Sequence, residues 1–298
     1  MKKWVIAVSV LVVSALVLNV GYYLFFPEVS KLKRINPRKT AFMEYREREW
    51  QKQGKKKKIT SRWVPLAQIS PYAIKAVIIA EDDKFWSHEG FDFKAIQKAL
   101  EKDLRKGRLK AGGSTISQQL AKNLYLSPSK NPVRKLKEAI LTWRIERHLS
   151  KRRIIEIYLN VAEWGEGIFG IEAATNHYFG KPALLLSAEE AAKLAAVLPN
   201  PRRFNPIGSG RYVMSRSERI YQIMVRRGIV IPEYEELMSE PEEETAVPEM
   251  GTPEESPKAE NDATDGAQKD NPEEDKPAPG QAESVIPLPM EGDRTGTN

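Results

Sequence analysis

From Trp4 to Phe26 the chain runs for 23 residues without a charge, and Val, Leu and Ile dominate the run. Coiled as a helix it is about 34 Å long, enough to cross the hydrocarbon core of a bilayer. Tyr22, Tyr23, Phe25 and Phe26 gather at one end, where an aromatic belt meets the headgroups. A cleaved signal peptide is the competing reading. Its apolar core is normally shorter and is followed by a small-residue cleavage site, and "LNVGYYLFFPEV" offers no clean one. The expectation is an uncleaved anchor over 4–26, with residues 1–3 on the cytoplasmic side. Charge disagrees about orientation: Lys2 and Lys3 precede the span, whereas Lys31, Lys33, Arg34, Arg38 and Lys39 follow it. Taken alone, that count places the main domain in the cytoplasm, although large domains cross membranes regardless of charge.

The rest of the chain divides by composition. Residues 27–58 are basic and include "KKKK" (Lys55 to Lys58), which reads as a solvated juxtamembrane linker able to touch anionic headgroups. Residues 59–238 read as one mostly helical body, with long apolar-periodic segments and loops marked by Gly and Pro. Residues 239–298 hold 17 acidic and 4 basic residues, are rich in Pro and nearly free of aromatics, and are expected to stay disordered. Because the net charge of the whole is +7, the chain outside this tail carries +20. Such a body seeks an anionic partner: nucleic acid, anionic lipid or a phosphorylated substrate. The chain has no cysteine, which excludes disulfides and thiolate metal sites.

Three strings are motif-like without the context their chemistry needs. "GEGIFG" (Gly165 to Gly170) has the dinucleotide spacing but no βαβ unit around it, and reads as a glycine-rich turn. "SPSK" (Ser127 to Lys130) has the acyl-enzyme spacing, yet Pro128 opposes the required helix. His88, His148 and His177 are too scattered for a metal set.

Other segments carry more. In "VIIAEDDKFWSHEGFD" an apolar run stops at Glu81, Asp82 and Asp83, beside Phe85 and Trp86. Acid clusters on soluble proteins are usually solvated helix faces. A carboxylate at the end of a buried segment instead loses hydration, which raises its pKa and makes it a usable base near neutrality. The segment alone leaves both readings open. In "KAGGSTISQQLAKN" a Gly-Gly turn precedes a capping box, Thr115 to Gln118, that starts a helix. Free N–H groups at Ser114 and Thr115 then suit an anion. Gln118 with Lys122, and Gln119 with Asn123, are one turn apart, so the helix carries a polar face suited to phosphate or sugar. In "NPVRKLKE", Asn131 is an N-cap and Pro132 the first helical residue. Arg134 and Lys135 share a face with Glu138, either as an ordinary ion pair or as a carboxylate set among diphosphate-binding cations.

The ordered series "EDDKFWSHEGFD", "GGSTISQQLAKN", "RKLKE", "KRRIIEIYLN" and "GIFGIEAATNHYFGK" resembles the family 51 glycosyltransferases, the peptidoglycan transglycosylases, over about Trp63 to Arg203. The single span and the absence of a penicillin-binding domain resemble the monofunctional members. The resemblance implies a mainly α, lysozyme-like glycosyltransferase domain with a small membrane-associated lobe, preceded by one transmembrane helix. It also implies that this domain faces outward from the inner (cytoplasmic) membrane, on the periplasmic side. The substrate would be lipid II, a disaccharide-pentapeptide on undecaprenyl diphosphate, together with the growing glycan strand. Glu81 matches the catalytic base and Glu138 the second essential carboxylate, which positions the donor diphosphate, either directly or through a divalent metal (Mg2+ or Mn2+) that the resemblance does not make obligatory. Lys122, Arg134, Lys135, Ser114 and Gln118 match the groups that stabilise the leaving diphosphate, while Asp82, Phe85 and His88 match positions that shape the site. Lys130 stands where the family commonly has arginine, keeping the charge but losing the bidentate fork. Other cell-wall synthesis and division proteins are the implied partners, and the span disfavours nucleic acid. A lysozyme-like hydrolase and a non-catalytic wall-binding anchor are the rival readings.

Overall fold

The computed structural model describes residues 2–105, 113–128 and 131–231. The acidic segment 239–298 and Lys130 lie outside them.

The apolar run forms helix α1 (Lys2–Gly21), which ends five residues before the uncharged stretch does. A single turn of tighter helix follows at Tyr22–Leu24, where Tyr22 stacks on Phe26 with ring centroids 5.1 Å apart. No residue of α1 is buried, and its mean hydropathy reaches 2.4. That profile fits a single-pass membrane anchor, and a signal sequence would share it.

The segment after α1 is not the solvated linker that its charge suggests. Val29 and Leu32 enter the main core, and Arg144 donates to the carbonyls of Tyr23 (3.0 Å) and Phe25 (2.9 Å). Arg153 reaches back to the Leu32 carbonyl at 2.8 Å. Thr40 then caps helix α2 (Ala41–Lys52), accepting from the Met43 N–H, and α2 buries Met43 and Trp50. On the same helix Arg46 grips Glu163 through Nε (2.9 Å) and Nη2 (2.7 Å), and that carboxylate is only 3% exposed. The folded body therefore begins well before residue 59. The lysines dominate the composition of 27–58 and mask a few apolar anchors; "KKKK" itself is exposed.

This correction can be tested by Arg46→Ala. Removing one partner of a buried ion pair strands the other, so the variant should lose about 3–5 kcal/mol of stability. Urea unfolding measures the loss. A solvated linker would give a change within about 0.5 kcal/mol.

The remaining helices are α3 (Pro71–Glu81), α4 (Phe93–Arg105), α5 (Ile116–Tyr125), α6 (Pro132–His148), α7 (Lys151–Val161), α8 (Ile171–Phe179), α9 (Ala188–Val197) and α10 (Arg211–Arg226). Apart from α4, whose described side chains are not in the core, their apolar stripes converge on one core. Helix α5 supplies Ile116, Leu120 and Leu124, and α7 supplies Ile154, Ile155, Ile157 and Leu159. In α9 buried alanines leave little bulk between backbones, and α9 packs against both α3 and α10. Helix α5 likewise packs against both α6 and α7.

A small sheet closes one side. Its strands β1 (Thr60–Ser61), β2 (Glu163–Gly165) and β3 (Ile168–Phe169) lie in the order β1-β3-β2, with β1 parallel and β2 antiparallel to β3. "GEGIFG" is the turn and second strand of the β2–β3 hairpin. Gly170 sits at φ +86°, and a Cβ there would meet the Asn160 carbonyl at 2.7 Å, so close backbone approach explains this glycine. Asn160 itself accepts from the Val64 N–H and donates to the Val64 carbonyl, both at 2.9 Å. That exchange ties the segment leading into α3 to α7.

Candidate active site

Helix α3 starts with Pro71 at its first position and buries Ala73, Ala76, Val77 and Ile78. It stops at Glu81 because Asp82 takes an extended φ of −162°. The three neighbouring carboxylates consequently meet three different environments. Asp83 is exposed and paired with Arg227 at 2.5 and 2.9 Å. Asp82 is buried within the frame of the site. Glu81, only 12% exposed, borders a cleft of about 350 Å3.

Glu81 is held from two sides. Gln119 Nε2 donates to its Oε2 at 2.8 Å, and the Tyr158 hydroxyl fixes Gln119 by donating to Oε1 at 3.0 Å. Arg216 Nη2 lies 3.4 Å from Glu81 Oε1. Burial pushes the Glu81 carboxyl above its ordinary value of 4.5, opposed by the Gln119 hydrogen bond and by the charges of Arg216 and Lys122. Such a carboxyl suits proton transfer near neutrality.

Asp82 orders the surroundings. Its Oδ2 accepts from the Ile116 N–H at 3.0 Å, placing a negative charge at the start of α5. His88 Nε2 is 2.9 Å from Asp82 Oδ1, and Nδ1 accepts from the Gly90 N–H. Nε2 therefore carries the ring proton and donates it to Asp82. Thr115 closes the loop by donating to the Gly90 carbonyl at 2.7 Å. The expected capping box is present: Thr115 accepts from the Gln118 N–H, and Gln118 Oε1 accepts from the Thr115 N–H.

Several side chains expected on a substrate face are thus committed elsewhere. Phe85 is wholly buried, with Lys151 Nζ 4.7 Å from its ring centroid. Thr115, Gln118 and Asn123 are buried as well, and Gln118 spends its carbonyl oxygen on the cap. Gln119 turns towards Glu81. These groups build the frame, because the polar face of α5 is covered by the 82–92 loop and by α6 and α7.

The cations converge around Glu138, which is 3% exposed. Arg134 Nη1 meets its Oε2 at 2.5 Å, and Lys135 engages Oε1 while lying 3.4 Å from Ser114 Oγ. Lys122 feels both Glu138 and Glu81, so α5 bridges the two carboxylates. Burial holds the Lys122 ammonium below its ordinary value, a penalty that an arriving anion would relieve. The cleft beside Glu81 adds Lys84, Lys94 and Lys98.

A divalent ion finds no protein-built cage here. Both oxygens of Glu138 are engaged by cations, and no three His, Asp or Glu side chains converge among the described residues. The sequence did not flag Lys84, Lys94 and Lys98 of the cleft, nor Arg216 and Tyr158, which hold Glu81 and Gln119. Nothing local marks the last two, since they reach Glu81 and Gln119 across 135 and 39 positions of chain.

The transglycosylase family model matches residues 47–225. The chain is 50% identical over 204 residues to a biosynthetic peptidoglycan transglycosylase of Nitrosospira multiformis, covering 68% of this chain and 88% of that protein. A protein of the same description from Laribacter hongkongensis is 45% identical over 225 residues, covering 75% and 97%. One from Aromatoleum aromaticum is 57% identical over 169 residues, covering 57% and 74%.

Proposed function

The chain belongs to the transglycosylase family, and from that premise we propose that it is a peptidoglycan glycosyltransferase that polymerises lipid II into β-1,4-linked glycan. The observation that carries the reading is the pairing of a buried, hydrogen-bonded carboxylate with a cation cluster, joined through Lys122 on α5.

In this reading Glu81 takes the proton from the 4-hydroxyl of the acceptor N-acetylglucosamine. The freed oxygen attacks the anomeric carbon of the donor N-acetylmuramic acid from the face opposite the leaving group, which inverts that centre. The bond to undecaprenyl diphosphate breaks, and the diphosphate takes the electron pair. An alcohol is a poor nucleophile at neutral pH, so a positioned base contributes directly to the barrier. Lys122, Arg134 and Lys135 offset the charge that grows on the diphosphate, with Ser114 as a further donor. Glu138 keeps Arg134 and Lys135 aimed at it. The exposed α1 serves as a single-pass anchor in the inner membrane, with the catalytic domain on the periplasmic side, where the lipid-linked substrate and the growing strand lie in the same plane.

A hydrolase would also use a buried glutamate, but water as acceptor and a neutral leaving sugar need no such cation cluster. Incubation of the purified protein with lipid II should yield long glycan with release of undecaprenyl diphosphate. Cleavage of preformed glycan without polymer growth would replace this reading by the hydrolytic one.

A further inference from the structure

The base proposed above is approached by a charge 135 positions further along the chain. Arg216 lies on α10, which packs on α3 as well as on α9. Its Nη2 donates to the Ala80 carbonyl at 3.0 Å and lies 3.4 Å from Glu81 Oε1. Its Nε is buried and has no acceptor among the described residues. An ordinary surface ion pair would turn that N–H to water, and leaving it unmade costs stability. The side chain tolerates this because its head is drawn to the end of α3. There the terminal carbonyls and the negative end of the helix dipole gather beside Glu81 and disfavour its charge. Arg216 answers both, accepting neither and donating to each.

We propose that Arg216 is a positioning residue for the reaction, holding the Glu81 carboxylate aimed at the cleft and ready to accept the acceptor hydroxyl's proton. The inference rests on Glu81 being the base. Gln119 fixes the other carboxylate oxygen and its hydrogen bond also favours the charged form, while Arg216 adds a full positive charge on the opposite oxygen. Arg216 keeps its own protons throughout. Once Glu81 has taken the substrate proton, the attraction to Arg216 falls, and regaining it favours proton release and a return to the ionised base. The other groups facing Glu81 are Asp82 beside it, Lys122 and Gln119 from α5, and Tyr158 from α7. Asp82 opposes ionisation and Lys122 supports it, so Arg216 supplies part of the effect.

The test is the pH dependence of kcat for lipid II polymerisation by the full-length protein, for wild type, Arg216→Gln, Arg216→Lys and Arg219→Gln. Arg219 is exposed on the same helix and controls for net charge. In Arg216→Gln the acid limb should move to higher pH by about one unit, the ordinary effect of losing a nearby opposite charge. Arg216→Lys should return the limb towards wild type with kcat still reduced at least about threefold and KM unchanged, because an ammonium lacks the fork. Arg219→Gln should leave the limb in place. An unmoved limb in folded Arg216→Gln, or a pH-independent loss that lysine does not rescue, would overturn the proposal. If Arg216→Gln fails to fold, Arg216→Lys decides alone: wild-type kcat at every pH overturns it, and a fall in kcat at constant KM supports it. Failure of the premise looks different, because Glu81→Gln would then polymerise at the wild-type rate.

Discussion

Glu81→Gln is expected to lower lipid II polymerisation by about 10²–10⁴-fold, the usual worth of a general base, while the protein stays folded. Glutamine keeps the shape and the ability to pair with Gln119, and it removes only the proton acceptor. Stability supplies a second readout. The Glu81 carboxyl is raised in the folded state, chiefly by burial. A carboxyl raised on folding contributes stability that is fully present below its unfolded pKa and lost as pH rises through the folded pKa. Above its unfolded pKa the buried Glu81 carboxyl therefore carries a cost that glutamine avoids, so at neutral pH the variant should melt at or above the wild-type temperature. At pH 4, where the carboxyl is protonated, that advantage should disappear. Near-normal turnover in a folded variant would remove Glu81 from the chemistry. A clear fall in melting temperature at neutral pH would mean that the carboxylate is structural instead.

Lys122→Ala should cost about 10²–10³-fold in kcat/KM, the scale seen when one preorganised donor to a developing charge is removed. Lys122 is the cation positioned between the two carboxylates, and burial has already stripped much of its hydration. Its interaction with a diphosphate is then weakly screened. Glu138 retains Arg134 and Lys135 in the variant, so the local fold should survive. The comparison is Lys56→Ala, an exposed lysine of "KKKK", for which less than about a twofold change is expected. Equal, small effects from both would show that the positive charge of this protein acts only as a general attraction to an anionic surface.

The local features of the site were legible in the sequence. The Thr115–Gln118 capping box, the Asn131–Pro132 helix start, the Arg134–Glu138 pair and the glycine-rich turn at Gly165–Gly170 all appear in the structure as their spacing implies. Each depends on contacts within about four residues, and one turn of helix or one hairpin dictates such contacts whatever the rest of the chain does. Glu81 was legible as a candidate because it directly follows the apolar run that α3 buries in the core.

Tertiary structure decided what each polar group does once it is there. Gln118 and Gln119 are neighbours, yet one caps its own helix and the other holds Glu81. Asp82 and Asp83 are adjacent, yet one anchors the start of α5 and the other pairs with Arg227 on the surface. The segment before residue 59 reads as a linker from its lysines and is folded in practice, because Arg46 finds Glu163 across 117 positions and Val29 finds the core. Composition cannot report such pairings. A side chain's charge and size are written in the chain, but its partner depends on which helices pack together, and α10 meets α3 only when the whole core has closed. Glu81 can therefore be picked out as a candidate from the sequence, whereas the presence of Arg216 beside it follows only from the packing of α10 on α3.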